Sequence, residues 1–194
     1  MKKKKKSNIG GLINKSVGAA FLISLGNYAL LKLGNPIGPI IFAFGLLGVC
    51  YLGQNLFTGK CGFMISDKIK VRDILIILAG NMVAGYLLGM MYAQADSSLV
   101  PAAAEKVASW SLPISFFIKS FLCGAIMYFA VKMYKQGTPL GIIFGVPLFI
   151  FCGFQHCVAN IVTLGIAGTF DLSIFLCIIG NFVGSIVTWW FTKE

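Results

Sequence analysis

Few residues in this 194-residue chain can handle charge or protons, and one of them is unusually placed. His156 is the only histidine and lies in a run from Gln136 to Phe170 that contains no Lys, Arg, Asp or Glu. An imidazole changes charge near neutral pH, and it both donates and accepts hydrogen bonds. Gln155 directly precedes it, and Asn160 follows one helical turn later. His156 is therefore either a hydrogen-bonded core residue or a group that acts on a substrate's charge or proton.

The composition around this histidine is that of a membrane protein. Hydrophobic residues make up 58% of the chain and charged residues 11%, with a mean hydropathy of +0.88. Soluble domains carry about 25% charged residues, so we expect one polytopic membrane domain, residues 1–194. The net charge of +10 does not indicate nucleic acid, because five of sixteen basic residues are Lys2–Lys6, without interleaved aromatics. The basic segment 1–16 is expected to lie against anionic lipid or to form a tail without a partner.

Six apolar stretches are candidates for membrane-spanning helices, each of which needs about 20 mostly apolar residues. They cover residues 17–31, 37–64, 74–95, 107–131, 139–167 and 172–192. Six spans put both termini on one face, which collects most basic residues outside the spans, whereas the other face holds only Lys32 and Lys106. The positive-inside rule then predicts a multi-pass protein of the cell membrane with cytoplasmic N- and C-termini.

The two halves of the chain repeat one another. Three pairs of short motifs recur in the same order at a nearly constant offset: Lys15-Ser16 and Lys119-Ser120, Asn35-Pro36-Ile37-Gly38 and Thr138-Pro139-Leu140-Gly141, and Gly80-Asn81 and Gly180-Asn181. Each half contains three spans, and an odd number gives the halves opposite orientations in the bilayer. Inverted repeats of this kind place a substrate path between the halves, near the midplane.

The second and fifth spans are predicted to be broken helices. Both are long for a bilayer, and both gather glycines and amide side chains near mid-depth, over 53–62 and 153–160. Irregular backbone survives there only where protein or a water-lined cavity satisfies its N–H and C=O groups. We therefore expect these stretches to line a path; the alternative is that the glycines serve close helix packing.

Four polar residues are candidates for handling an anion on such a path, and each has a structural alternative. Lys119 would attract the anion, or its side chain would extend to the nearer membrane interface. His156 would donate a hydrogen bond when neutral or a proton when cationic, and the sequence does not choose. Thr58 would bind the permeating species, position His156, or bond to its own helix. Asn181, with its repeat equivalent Asn81, would brace the loops or join helices.

Several of these motifs resemble those of the formate/nitrite transporter family. The most specific is Gly153-Phe154-Gln155-His156-Cys157-Val158-Ala159-Asn160, supported in the expected order by Leu56-Phe57-Thr58-Gly59, by Lys119 with Cys123, and by Gly180-Asn181. The resemblance covers essentially all six spans. It implies a homopentamer of aquaporin-like protomers, each with a pore for the small monovalent anion of a weak acid: formate, nitrite, hydrosulfide or a short carboxylate.

The same resemblance implies roles for individual residues. Thr58 and His156 would face each other at the pore centre. Four apolar residues would form the constrictions, Leu56 and Phe57 on one side of the histidine and Leu46 and Phe149 on the other. The pore or substrate-binding set is then His156, Thr58, Lys119, Asn160 and Asn181.

Three positions depart from the family's pattern. Gln155 stands where the family often has Glu, which puts proton relay through that position in doubt. Gly124 stands where Asn is frequent, and Lys60 stands where a small or polar residue is expected. Lys60 lies near the end of its span, so we expect its side chain to extend to the interface and assign it no pore role.

The function predicted from the sequence is a channel or transporter for small weak-acid anions, with proton-linked or histidine-gated permeation. The alternative is a channel for a neutral small solute or ammonia, from which anion selectivity would distinguish it. An enzyme is not expected, because the spans hold no Asp or Glu and no nucleophile–base–acid set. No cofactor is expected, and no metal site, since the six cysteines form no C-x-x-C pair.

Overall fold

The computed structural model describes residues 8–110 and 113–193, and within them all regular secondary structure is helical. Nine helices follow one another in this described part: α1 (Ile9–Leu33), α2 (Ile37–Tyr51), α3 (Phe57–Lys60), α4 (Val71–Ala95), α5 (Leu99–Ala108), α6 (Pro113–Lys135), α7 (Leu140–Phe151), α8 (Cys157–Ala167) and α9 (Ser173–Thr192). A 3₁₀ turn, Cys61–Phe63, continues α3. The basic run Lys2–Lys6 lies outside the described residues.

Four helices, α1, α4, α6 and α9, are long and apolar enough to cross a membrane. The predicted spans 74–95 and 172–192 agree closely with α4 and α9. The first helix begins at Ile9 rather than Val17, because the Asn8 side chain caps it by accepting a hydrogen bond from the Gly10 N–H at 3.1 Å. Much of the predicted basic segment 1–16 is therefore helical.

The fourth predicted span, 107–131, differs from the structure at both ends. The spanning helix α6 begins at Pro113, a residue suited to the first turn because that turn needs no N–H from it. The connection before it holds a separate short helix, α5, which ends at Ala108. This connection, most of which lies outside the six predicted spans, therefore packs side chains of α5 against α4 and α8.

The predicted second and fifth spans each contain two helices separated by five residues, 52–56 and 152–156. Gly53 and Gly153 follow the first helix of each pair with φ of +60° and +67°, a left-handed backbone that glycine adopts without a Cβ penalty. Leu56 and His156 then take extended backbone and precede α3 and α8 as their N-cap residues. The chain thus makes the same turn twice, at positions 100 residues apart.

Glycines let the helices approach until their backbones touch. A Cβ added to Gly124 on α6 would overlap the Asn181 carbonyl oxygen on α9, and one added to Gly184 on α9 would overlap that of Phe121. Gly165 on α8 stands in the same relation to the carbonyl of Tyr86 on α4. These contacts hold α6 against α9 and α8 against α4, and so fix the helices that carry the polar residues described next.

Candidate functional site

A buried threonine–histidine pair lies at the centre of the molecule. Thr58 and His156 are 1% and 2% exposed, and Thr58 Oγ1 lies 2.8 Å from His156 Nε2. The other ring nitrogen, Nδ1, accepts a hydrogen bond from the Ala159 N–H at 3.1 Å, which caps the start of α8. Because Nδ1 accepts, the neutral ring carries its proton on Nε2 and donates it to the Thr58 hydroxyl. The Thr58 O–H then has its own proton to donate elsewhere.

Asn181 braces the backbone that presents His156. Its Oδ1 accepts the Cys157 N–H at 2.8 Å, and its Nδ2 donates to the carbonyls of Ser120 and Gln155, both at 2.8 Å. One amide side chain thus ties the five-residue connection before α8 to both α6 and α9. Asn181 is fully buried.

Asn81 makes the same three bonds in the first half of the chain. Its Oδ1 accepts the Phe57 N–H at 2.8 Å, and its Nδ2 donates to Ser16 O at 2.8 Å and Asn55 O at 3.1 Å. It therefore holds the backbone that presents Thr58, as Asn181 holds the backbone of His156. These two asparagines fix both halves of the central pair.

One cavity of about 450 Å³ opens onto His156, and we call it the Lys106 vestibule. Among its lining residues are His156, Asn160, Gln155, Phe149, Phe42 and Lys106. The Phe149 ring stacks on the imidazole, with centroids 5.8 Å apart and planes at 19°, and the Phe42 ring meets Phe149 edge-on at 6.1 Å. These aromatic rings line the cavity beside the histidine.

Lys106 supplies the ammonium of this vestibule. It lies on α5, outside the four spanning helices, and is half-buried. Burial lowers the pKa of Lys106 to about 8. In the part of the chain that the structure describes, no carboxylate forms an ion pair with it, whereas Lys32 on the same face is paired with Asp96 at 2.7 Å. Glu105 also lines the cavity, next to it in sequence.

A second, smaller cavity of about 140 Å³ shares no lining residue with the first, and we call it the Lys60 vestibule. Its lining residues include Leu46, Leu56, Gly59, Lys60, Tyr134 and Lys135. Leu56 and Gly59 lie on either side of Thr58 along the chain, and Thr58 is bonded to the histidine that lines the first cavity. The Thr58–His156 contact therefore connects the segments that line the two cavities.

The structure differs from the expectation for Lys119. This residue lines neither vestibule; it borders a shallow groove with Pro113 and Ile118 at the start of α6. Its neighbours Phe116 and Ser120 are fully buried and take the inward face of α6, so Lys119 is rotated away from that face by the helix geometry. The ammonium that shares a cavity with His156 is that of Lys106.

Two apolar assignments also change. Leu46 lines the Lys60 vestibule together with Leu56, not the side of Phe149 where the sequence placed it, and Phe42 takes that position beside Phe149. Phe57 is buried in the core and lines neither vestibule, although its N–H is held by Asn81.

The remaining predicted residues divide between lining and bracing. Asn160 lines the Lys106 vestibule and donates to Gln155 Oε1 at 2.9 Å. Asn181 lines neither vestibule and acts on the backbone. Sequence reasoning missed Lys106 and Phe42. One signal for Lys106 was available: it is one of only two basic residues on its predicted face.

Comparison of the sequence with known proteins finds a family and several relatives. The profile of a family described as "Formate/nitrite transporter" matches residues 1–188. The uncharacterised transporter YrhG of Bacillus subtilis is 28% identical, over 80% of this chain and 69% of its own length. The formate channel FocA of Haemophilus influenzae is 25% identical, over 64% of this chain and 51% of its own, so the match spans about half of that relative.

Two solved structures share the fold. An "FNT family ion channel" superposes with a TM-score of 0.77 at 21% identity, over 96% of this chain and 92% of its own. A pentameric formate channel with formate bound superposes with a TM-score of 0.76 at 19% identity, over 97% and 95% of the two chains. The helical arrangement described above is therefore that of these channels.

Proposed function

This chain belongs to the formate/nitrite transporter family, and on that premise we propose that it conducts small monovalent anions of weak acids, with formate as the leading candidate. The observation that carries the proposal is the Thr58–His156 pair at 2.8 Å beside two cavities, each of which contains a lysine without an ion-pair partner among the described residues. Two facing donors and these two ammonium groups suit a negatively charged cargo better than a neutral one. Nitrite and hydrosulfide share the charge and small size of formate.

The apolar rings beside the Thr58–His156 pair make the passage of an anion energetically costly. A bare carboxylate loses its hydration there at a large cost, while the protonated acid crosses more easily. In the proposed mechanism Lys106 concentrates the anion in its vestibule, beside Phe42 and Phe149. At the pair, the Thr58 O–H and the His156 Nε2–H become donors to its oxygens in place of water.

Neutral His156 fits this role because its Nδ1 is already occupied by the Ala159 N–H. The proton that neutralises the permeating anion then comes from hydronium in the solution that fills the vestibule rather than from position 155. Gln155 has no acidic proton, and its amide is engaged with Gly153 O at 3.0 Å and with Asn160. Permeation is thus proton-linked through the cargo, and His156 acts as its hydrogen-bond donor.

The architecture proposed for the membrane has six spans in two inverted repeats. The pairs α2–α3 and α7–α8 are the broken second and fifth spans of an aquaporin-like protomer. The matching bonds of Asn81 and Asn181 support this arrangement, since unrelated segments would not share three bonds at a nearly constant offset. Both termini are placed in the cytoplasm, and five protomers form the assembly, as in the pentameric channel with the same fold.

Flux measurements on the reconstituted protein test this function. Formate, nitrite and hydrosulfide entry into liposomes is compared at two external pH values, with His156→Phe alongside. We expect anion-selective flux that rises on acidification and falls in the variant. Flux of neutral solutes alone would favour the neutral-solute or ammonia alternative, and flux no greater than that of empty liposomes would exclude the proposed cargo.

A further inference from the structure

We propose that the Lys60 vestibule is a second anion-binding site, in which the Lys60 ammonium holds the same small monovalent anion on the opposite side of the Thr58–His156 pair. The inference rests on the proposed function and adds a binding residue that the sequence comparison did not assign. The sequence analysis expected a small or polar residue at position 60 and gave Lys60 no pore role. The residues around Lys60 carry the argument.

The cavity has the size for a small hydrated anion. Its volume of about 140 Å³ exceeds the roughly 30 Å³ that one water molecule occupies in the liquid. Leu46, Val49 and Leu56 supply apolar walls on the side of the central pair. An anion that enters therefore meets Lys60 at the point where its hydration begins to be lost.

The charge of Lys60 is not neutralised by an ion pair within the described part of the protein. Lys60 is half-buried, and in the described ranges no carboxylate forms an ion pair with it. The acidic residue of this cavity, Asp67, is engaged by Lys135 at 2.7 Å, and the Lys135 ammonium also lies 4.1 Å from the centroid of the Phe63 ring. A half-buried ammonium without a counter-ion favours an anion beside it.

The internal repeat gives independent support for the direction in which Lys60 lies. Lys60 and Asn160 are 100 residues apart, and each follows an N-cap residue, Leu56 or His156, by four positions. Asn160 lines the Lys106 vestibule, and Lys60 lines the vestibule on the other side. The two halves thus present equivalent positions to opposite cavities, one with an amide and the other with an ammonium.

This arrangement gives each side of the central pair its own cation. Lys106 attracts anions in one vestibule and Lys60 in the other, so the path binds formate from either direction. The sequence interpretation, in which Lys60 only extends to the interface, predicts no such effect. The two interpretations therefore differ in what is expected when the charge of Lys60 is removed.

The experiment uses full-length protein in liposomes with uniform orientation, checked by protease removal of an N-terminal tag. Initial formate flux is measured against formate concentration, with formate supplied first on the Lys60 side and then on the Lys106 side. The variants are Lys60→Gln, Lys60→Arg and the matched control Lys70→Gln, which changes an exposed lysine that lines neither vestibule.

We expect Lys60→Gln to raise the half-saturating formate concentration on the Lys60 side by roughly tenfold, the usual scale for one charge-assisted hydrogen bond. The half-saturating concentration on the Lys106 side should stay unchanged. Lys60→Arg keeps the charge and should keep the wild-type value, as should Lys70→Gln on both sides.

Two results would overturn the proposal while leaving the channel function intact. One is an unchanged half-saturating concentration on the Lys60 side in Lys60→Gln. The other is an equal loss of flux from both sides that Lys60→Arg does not restore, since that pattern marks a structural role. Absence of formate flux in the wild-type protein would instead reject the proposed function, and this inference with it.

Discussion

Both ring nitrogens of His156 form hydrogen bonds within the protein, and these two bonds determine what the residue can do. Nδ1 accepts from the Ala159 N–H, and Nε2 faces Thr58 Oγ1 at 2.8 Å. The imidazole is therefore held in one orientation and one tautomer, with its donor directed at the partner hydroxyl. In the proposed function, an arriving anion accepts the Thr58 O–H and takes the place of the hydroxyl as acceptor of the His156 Nε2–H.

Removal of the Thr58 hydroxyl tests this pairing. Thr58→Val keeps the shape but leaves the buried His156 Nε2–H without its acceptor, which costs about 1–3 kcal/mol of folding free energy. Formate flux is expected to fall by roughly tenfold or more, because one donor to the anion is lost. Flux assays and thermal unfolding in detergent measure the two effects.

Thr188→Val is the matched control for this change. Its hydroxyl is also buried but bonds to its own helix, at Gly184 O, 2.7 Å away. This variant should retain formate flux. Equal flux in Thr58→Val and wild type would contradict the role of the central pair.

The pH dependence of entry from the Lys106 side follows from the lowered pKa of Lys106, about 8. The ammonium is charged below this pKa and neutral above it, so its attraction for the anion is lost as pH rises through about 8. With equal pH on both sides, formate flux at about pH 9 should fall further below that at about pH 7 in wild type than in Lys106→Arg, since Arg keeps its charge. Glu105 and His156 line the same cavity and are present in both proteins. Identical pH profiles would show that Lys106 does not set the fall.

The sequence led to the contact between Thr58 and His156 but not to Lys106. His156 drew attention because a polar group in a long apolar run has few structural explanations, and Thr58 followed from the family resemblance; their roles in permeation stay predictions. Lys106 and Lys119 could not be ranked, since the choice depends on rotation about α6 and on the separate helix α5. Those are properties of tertiary packing, which a linear pattern does not contain.

At the scale of elements, each short helix of the site begins at a backbone N–H held by an asparagine. Asn81 holds Phe57 N at the start of α3, and Asn181 holds Cys157 N at the start of α8. Both amides also reach a carbonyl on the preceding spanning helix, Ser16 O or Ser120 O. Hydrogen bonds, and not apolar contacts alone, thus hold the short helices α3 and α8 to the long helices.

Asn181→Ala and Asn81→Ala should have similar effects because the bonds they remove correspond. Each buried group left without a partner costs about 1–3 kcal/mol, so both variants should unfold well below wild type and lose formate flux. Gln94→Ala changes an exposed amide side chain near the end of α4 and should do neither. Thermal unfolding in detergent provides the comparison. A large effect at one brace with none at the other would contradict their equivalence.

Long apolar helices were the most predictable elements, and their ends the least. The extents of α4 and α9 follow from uninterrupted hydropathy. The start of α1 depends on a single capping contact at Asn8, and α5 is too short and polar to produce a spanning signal. The positions of Gly53 and Gly153 were the useful exception, because an amide-rich stretch after glycine indicated where a helix stops.

At the scale of the whole molecule, the outer surface carries apolar side chains that a single protomer does not cover. A groove between α1 and α4 is lined by residues such as Val17, Phe21, Val83 and Leu87. Val83 and Leu87 are 62% and 58% exposed. Lipid or a second protomer would cover this surface, and the proposed pentamer assigns it to the second.

Native mass spectrometry from detergent should therefore find five copies of the 20.9 kDa chain. Val83→Arg places a charge in the groove and should reduce the pentamer in favour of smaller species, because a charge buried at an interface without a partner is strongly disfavoured. Leu75→Arg changes a similarly exposed α4 residue outside the groove and should leave five copies. A wild-type protein that stays monomeric would contradict the assembly.

The two asparagine braces also bear on how such a protein can diversify. They bind main-chain atoms of residues 55 and 155, so the side chains at those positions are not part of the brace. Substitution at either position can therefore change the side chain while the brace is kept, so the residues that line the two vestibules, such as Asn160 in one and Lys60 in the other, can vary independently of the backbone that holds the central pair.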